Sequence, residues 1–214
     1  MSNPWLSIPL EDYEGHMASP GVEQLTALAE LFNRALDYCR PESVAVLGVA
    51  GGNGLEQIDC AATTRVIGVD INQHYLDEAK RRFESAAIAN LELHCCNLAE
   101  QSLTLAPVAL VHAALIFEHV GLDLGLENAV SLVAPNGYLS VVLQLPSDEE
   151  QGVASTSYTS MQALKQDFSL IGIGEFQRVL GLRGFELVER EYRPLPSGKA
   201  LRLGVFARSL IASV

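Results

Sequence analysis

Four glycines fall within seven residues at Gly48-Val49-Ala50-Gly51-Gly52-Asn53-Gly54, directly after the apolar run 44–47. Without a Cβ, such a turn adopts positive φ and lets a ligand approach the backbone closely. The helix expected behind it offers unpaired N–H groups. An acidic residue, Asp70, closes the next apolar run, 66–69. A carboxylate there can accept both hydroxyls of a ribose. Its other use is to cap the following helix. A bare turn and a carboxylate after consecutive strands describe a nucleoside site. The dinucleotide spacing G-x-G-x-x-G fails, because its glycine positions hold Gly48, Ala50 and Asn53. The phosphate loop G-x-x-x-x-G-K-[ST] fails further, with Asn53 at the second glycine and Gly54 at the lysine.

Alternating elements must position these residues. Apolar residues recur at helical spacing from Val22 to Leu36, and Pro41 stops that helix. Strands are expected at 44–47, 66–69, 91–95, 108–113 and 138–143. Helices are expected at 55–61, 75–87 and 125–132, with a turn at Pro135-Asn136-Gly137. A helix at 174–182 then precedes two strands, 185–192 and 201–208, joined through Pro194-Leu195-Pro196-Ser197-Gly198. The reading is a Rossmann-like, doubly wound α/β fold: a mostly parallel seven-stranded sheet ending in an antiparallel hairpin. Residues 22–214 form that domain. Residues 1–21 read as an irregular lid or strap, and 145–172 as a mobile connection or lid.

Composition narrows the partners. The 214 residues suit one domain, and 49% apolar content is globular. The net charge of −12 repels phosphate backbones and anionic lipids, so nucleic acid and membrane are not expected as partners. Lys80-Arg81-Arg82 reads as a solvated helix face. Cys39, Cys60, Cys95 and Cys96 form no CxxC pair and no zinc spacing, so no metal is expected and free thiols are. The first ten residues lack a basic start and an apolar core, and no run spans a bilayer. A soluble, cytoplasmic protein is expected.

The glycine turn and Asp70, with Asn97 after the third strand, the run 108–120 ending in Phe117-Glu118-His119-Val120, and Leu132-Val133-Ala134-Pro135-Asn136-Gly137, resemble the class I S-adenosylmethionine-dependent methyltransferases. The resemblance implies S-adenosylmethionine as cofactor, S-adenosylhomocysteine as product and a small-molecule acceptor. It implies a cofactor site at Gly48, Ala50, Gly52, Asn53, Gly54, Asp70, Ile71, Asn97, Leu98 and Ala113. Asn97 would read the adenine amino group. Val46 stands where the family usually carries an acidic residue, so the methionine end would lean on backbone carbonyls, Glu56 or the N-terminal segment.

Methyl transfer from a sulfonium is a displacement in which the protein chiefly aligns the acceptor. A base is needed only where the acceptor must lose a proton. Tyr13, His16, Glu118, His119 and Gln144 are the acceptor-side candidates, with His119 suited to accept a proton. Two other readings stand beside this one: a degenerate cofactor-binding module, and a nucleotide-dependent oxidoreductase on the same fold.

Overall fold

The computed structural model describes residues 3–84, 88, 90–147, 153–166 and 168–209. Val44 and Val46 face one side of a strand, Ala45 and Leu47 the other, and all four are buried. A strand apolar on both faces needs cover on both. Seven strands meet that need in one sheet: β1 (Ser43–Leu47), β2 (Arg65–Asp70), β3 (Leu91–Cys95), β4 (Val108–Ala114), β5 (Val133–Gln144), β6 (Phe185–Pro194) and β7 (Ala200–Arg208). Their order is β3-β2-β1-β4-β5-β7-β6. Pairs from β3 through β5 are parallel, while β7 is antiparallel to both β5 and β6. The expected sheet is present. Within its hairpin the later strand, β7, is interior and β6 forms the edge.

Helices cover both faces. α2 (Gln24–Cys39) and α3 (Gln73–Phe83) lie on the side of Val44 and Val46, where Phe32, Leu36 and Leu76 pack against them. α5 (Leu124–Leu132) and α6 (Ile173–Gly181) lie on the other, where Leu126, Ala129, Phe176 and Leu180 join Ala45 and Leu47. α2 ends where Arg40 enters the left-handed region (φ 44°) and its N–H caps the Leu36 carbonyl, one residue before Pro41.

Several expectations change. Residues 3–20 are not irregular: a 3-10 turn (Pro4–Leu6) and the helix α1 (Leu10–Ala18) occupy most of them. Of the residues that suggest irregularity there, Pro4 opens the 3-10 turn and Pro9 and Pro20 flank α1, where proline is tolerated, while Gly15 lies within α1. Residues 55–61 form only one 3-10 turn, Leu55–Gln57, because Gly54 enters it at φ 89° and Ile58 is extended. The helix expected to reach residue 87 is described to Phe83; residues 85–87 lie outside the described set. Pro135-Asn136-Gly137 falls inside β5, as an irregularity where pairing jumps from Val108↔Val133 to Leu110↔Tyr138. Within 145–172, Thr159–Gln166 is a 3-10 helix whose Met161 and Leu164 pack on Ile8. Residues 148–152 and 167 lie outside the described set.

Candidate active site

The ends of the parallel strands open into one cavity of about 430 Å³. Its floor begins at the glycine turn. Gly48 and Val49 both donate to the Val69 carbonyl, at 2.8 and 3.0 Å, which ties the turn to the end of β2. Gly48 has φ 73°, and a Cβ there would lie 3.0 Å from Ile116 Cδ1. Ala50 also takes a left-handed φ of 47° and lines the cavity. Its N–H donates to Asp70 Oδ2 at 2.9 Å, and Asn72 N–H donates to Asp70 Oδ1 at 2.9 Å.

Asp70 therefore does both things its position allows. It braces the turn, and it lines the cavity with lone pairs left on each oxygen. Burial raises its pKa, and the backbone N–H bonds from Asn72, Ala50 and Ile71 act in the opposite direction. Ile71, Asn97 and Leu98 line the same wall. Asn97 Oδ1 accepts from Ala99 N–H at 3.1 Å and keeps a second lone pair.

Not every expected residue reaches the cavity. Gly52 and Gly54 have left-handed φ values of 92° and 89°, but they serve packing: a Cβ would meet Phe83 Cε2 at 2.5 Å and Phe32 Cδ1 at 3.0 Å. Asn53 donates to the Leu25 carbonyl at 3.2 Å and ties the turn to α2. Ala113 is fully buried in the core; Ala114 and Leu115 line the cavity instead. Val46 is buried in the α2–α3 layer, and Glu56 receives the Gly54 N–H at 3.0 Å, outside the cavity wall.

The N-terminal segment closes the opposite side. Trp5, Tyr13 and His16 line the cavity. Asn72 Nδ2 donates to the Trp5 carbonyl and Tyr75 Oη to the Ile8 carbonyl, both at 2.9 Å. Arg82 pairs with Glu14 through two contacts and also donates to the Gly51 carbonyl at 3.3 Å. Lys80, Arg81 and Arg82 are all exposed, as expected of a solvated helix face, and Arg82 is in addition a clasp from α3 to α1 across the glycine turn. Gly15 meets Tyr158 so closely that a Cβ would lie 2.3 Å from its Cζ.

Among the acceptor-side residues, His119 lines the cavity. It stands edge-on to Trp5, with centroids 5.1 Å apart, and to Phe168 at 5.5 Å. His16 Nδ1 shares a 2.9 Å hydrogen bond with Thr156 Oγ1. Burial, with the Asp70 and Glu14 charges, pushes the Tyr13 phenol further up, so it stays protonated. Glu118 does not line the cavity. It is fully buried on α4 (Phe117–Val120), and its Oε1 accepts the Gln144 N–H at 2.9 Å. Burial pushes its carboxyl up to about 7. Gln144 faces the cavity beside Gln24.

Sequence reasoning missed Gln24, Lys199 and Asn128. The first two line the cavity from elements distant in the chain. Asn128, buried on α5, donates to the Leu98 and Gln101 carbonyls at 3.0 and 2.8 Å and accepts from Leu103 N–H at 2.8 Å. It thereby holds the loop that carries Asn97. The only available signal was a polar residue in an otherwise apolar helical stripe.

A profile of the methyltransferase-domain family matches residues 46–137, from the end of β1 to the irregularity in β5. Over those residues the chain is similar to a methyltransferase domain. That domain's fold recurs in N-methyltransferase NodS from Bradyrhizobium japonicum WM9, solved with S-adenosylhomocysteine. The TM-score is 0.61 and the identity 16%, with 94% of this chain and 89% of the other covered. It recurs in magnesium protoporphyrin IX methyltransferase (ChlM) from Synechocystis PCC 6803, also with S-adenosylhomocysteine. There the TM-score is 0.68 and the identity 14%, with 96% of each chain covered. An uncharacterised protein of Rickettsia prowazekii (strain Madrid E) is 27% identical over 99 residues. Those residues make up 46% of this chain but only 18% of that relative's length. No helix among the described residues is long and apolar enough to cross a membrane.

Proposed function

We propose that the methyltransferase domain transfers the methyl group of S-adenosylmethionine to a small-molecule acceptor, leaving S-adenosylhomocysteine. The observation that carries this reading is Asp70 in the cavity wall, bonded to Ala50 and Asn72 and still able to accept from two vicinal hydroxyls. In this reading the backbone at Gly48 and Ala50 lies against the nucleoside, and Asn97 and Leu98 face its base. Bound there, the cofactor supplies an electrophilic methyl group on a sulfonium. The chain's residues then have three tasks: to exclude water, to align the acceptor and, where needed, to hold its proton.

His119 and His16 are the groups suited to that proton. Tyr13, kept neutral, serves as a hydrogen-bond donor or an aromatic wall. Residues 3–18 act as a strap over the cofactor, clasped by Arg82, Asn72 and Tyr75. The bound S-adenosylhomocysteine in NodS and ChlM supports the cofactor assignment. The cavity's limited volume and the net charge of −12 favour a small acceptor over nucleic acid. Four free thiols favour a reducing cytoplasm.

Calorimetric titration with S-adenosylhomocysteine tests the assignment. The wild-type protein is expected to bind. Asp70→Ala removes two charge-assisted hydrogen bonds and is expected to weaken binding by about 30-fold or more. A wild-type protein that takes up no S-adenosylhomocysteine overturns the proposal.

A further inference from the structure

Two glutamines from distant parts of the chain meet in the cavity wall. Gln144 ends β5, and Gln24 opens α2. Both line the cavity, at 3% and 7% exposure. Gln24 Nε2 donates to Gln144 Oε1 at 3.4 Å, which turns the two amides toward each other. Gln144 is also fixed through its backbone, whose N–H donates to Glu118 Oε1 at 2.9 Å.

The contact uses one polar group of each amide and leaves the other. Gln144 Nε2 is buried and has no hydrogen-bond partner among the described residues. A buried donor in that state is costly. Gln24 Oε1 takes no part in the contact and carries two lone pairs. The pair therefore presents a donor on one amide and an acceptor on the other. Turning both amides over would exchange these roles and leave the same combination. A ligand that displaces solvent from this corner must bring an acceptor for the donor, and it gains more if it brings a donor too.

That combination discriminates between chemical groups. A carboxylate satisfies Gln144 Nε2 but sets its own lone pairs against Gln24 Oε1. It also meets the Glu118 carboxyl, which shares the Gln144 backbone, on a molecule of net charge −12. A ketone satisfies the donor alone. An amide, with its carbonyl oxygen beside an N–H, matches both glutamines. Lys199, in the same wall, already has an interaction within the protein, so the match is made by the two amides.

Position separates this corner from the nucleoside. In the order β3-β2-β1-β4-β5, Gln144 ends the strand three places from the one that Asp70 ends. At the usual strand spacing that is about 14 Å. Asn97, after β3, lies on the far side of Asp70.

We infer that the methyl acceptor carries a neutral amide edge, bound by Gln144 and Gln24; this rests on the methyl-transfer reading above. The carbonyl oxygen accepts from Gln144 Nε2, and the N–H donates to Gln24 Oε1. The two glutamines determine specificity, and the atom that is methylated lies elsewhere on the acceptor, on the side of the cofactor.

The test titrates the protein, saturated with S-adenosylhomocysteine, with small aliphatic and aromatic primary carboxamides. Each is compared with its carboxylate and its methyl ketone. At least one amide is expected to bind about tenfold more tightly than its carboxylate and about threefold more tightly than its ketone. Gln144→Met alone, and the double variant Gln24→Met with Gln144→Met, are expected to abolish both preferences. The double variant leaves neither amide short of a partner. Both variants should bind S-adenosylhomocysteine within about twofold of wild type, which also certifies folding. A wild-type protein that prefers no amide overturns the inference, as does a preference that both variants retain. The cofactor's own amino-acid end also joins a donor to an acceptor, and it has its own arm. If the double variant weakens S-adenosylhomocysteine but not 5′-methylthioadenosine, which lacks that end, the glutamines serve the cofactor and the inference falls. Failure of the wild-type protein to bind S-adenosylhomocysteine at all strikes the methyl-transfer reading instead, and this inference with it.

Discussion

Glu118 and His119 are neighbours in sequence and opposites in environment. His119 stands in the cavity between aromatic rings, whereas Glu118 is sealed beneath it. Loss of hydration lifts the Glu118 carboxyl from 4.5 to about 7, against the pull of the Gln144 N–H. The folded state therefore holds this proton more tightly than the unfolded chain does. Its stabilising effect is complete below pH 4.5 and is lost as pH rises to about 7. Glu118→Gln keeps an acceptor for Gln144 and removes the ionisation. Urea midpoints should agree for the two proteins near pH 4.5. At about pH 8 the variant should be more stable by about 3 kcal/mol.

At this scale the sequence was informative about backbone chemistry and less so about direction. Gly48, Ala50, Asp70 and Asn97 do line the cavity. Gly52, Asn53 and Gly54 do not, because the turn winds away from the strand ends and spends its second half on Phe83, Leu25 and Phe32. Ala113 was off by one residue. Neighbouring side chains in a strand face opposite ways, so a one-residue error exchanges core for cavity.

Among the elements, the loop after β3 shows how position is enforced. It has no regular structure of its own, and Asn128 supplies three bonds from α5, which packs in the same apolar layer as Cys96 and Leu98 of the loop. Asn128→Ala leaves two carbonyls and one N–H short of a partner. It is expected to destabilise the protein by about 3 kcal/mol, read by chemical denaturation. Cofactor affinity should fall as well, because Asn97 and Leu98 lose their anchor.

The helical and strand periods were legible wherever apolar residues repeat, as in α2, β1, β2 and β4. α1 was not. Its sequence, Leu10-Glu11-Asp12-Tyr13-Glu14-Gly15-His16-Met17-Ala18, contains a glycine and interleaves charge with apolar residues. Its helix is stabilised by partners remote in the chain: Arg82, Tyr158, Thr156 and Ser160. Lys199 was invisible for the same reason, since a hairpin decided where it went.

For the molecule as a whole, a second buried group works against Glu118. His112 on β4 shares a 3.0 Å bond with Ser140 of β5 and stacks on Phe32. Burial pushes its imidazole down from 6.5 to about 3. Here the unfolded chain binds the proton first. Stability is complete above pH 6.5 and falls as the solution is acidified toward 3. His112→Gln, which keeps a partner for Ser140, should lose this dependence. Relative to that variant, wild type should lose roughly 4 kcal/mol between neutral pH and about pH 3, followed by denaturant titration across the range. Between 4.5 and 6.5 the two buried groups pull in opposite directions, so the wild-type profile should be flatter there than either single variant's.

The interior place of β7 has a consequence for how the protein is made. A ribosome delivers β5 first, then α6 and β6, and β7 last of the seven strands. Until β7 emerges, β5 has an open edge, and β6 has no neighbour to join it to the sheet. The nascent chain thus carries its complete glycine turn, Asp70 and Asn97 well before β7 can join β5. Translation arrested within the hairpin would release a sticky, unfinished sheet rather than a weakened enzyme.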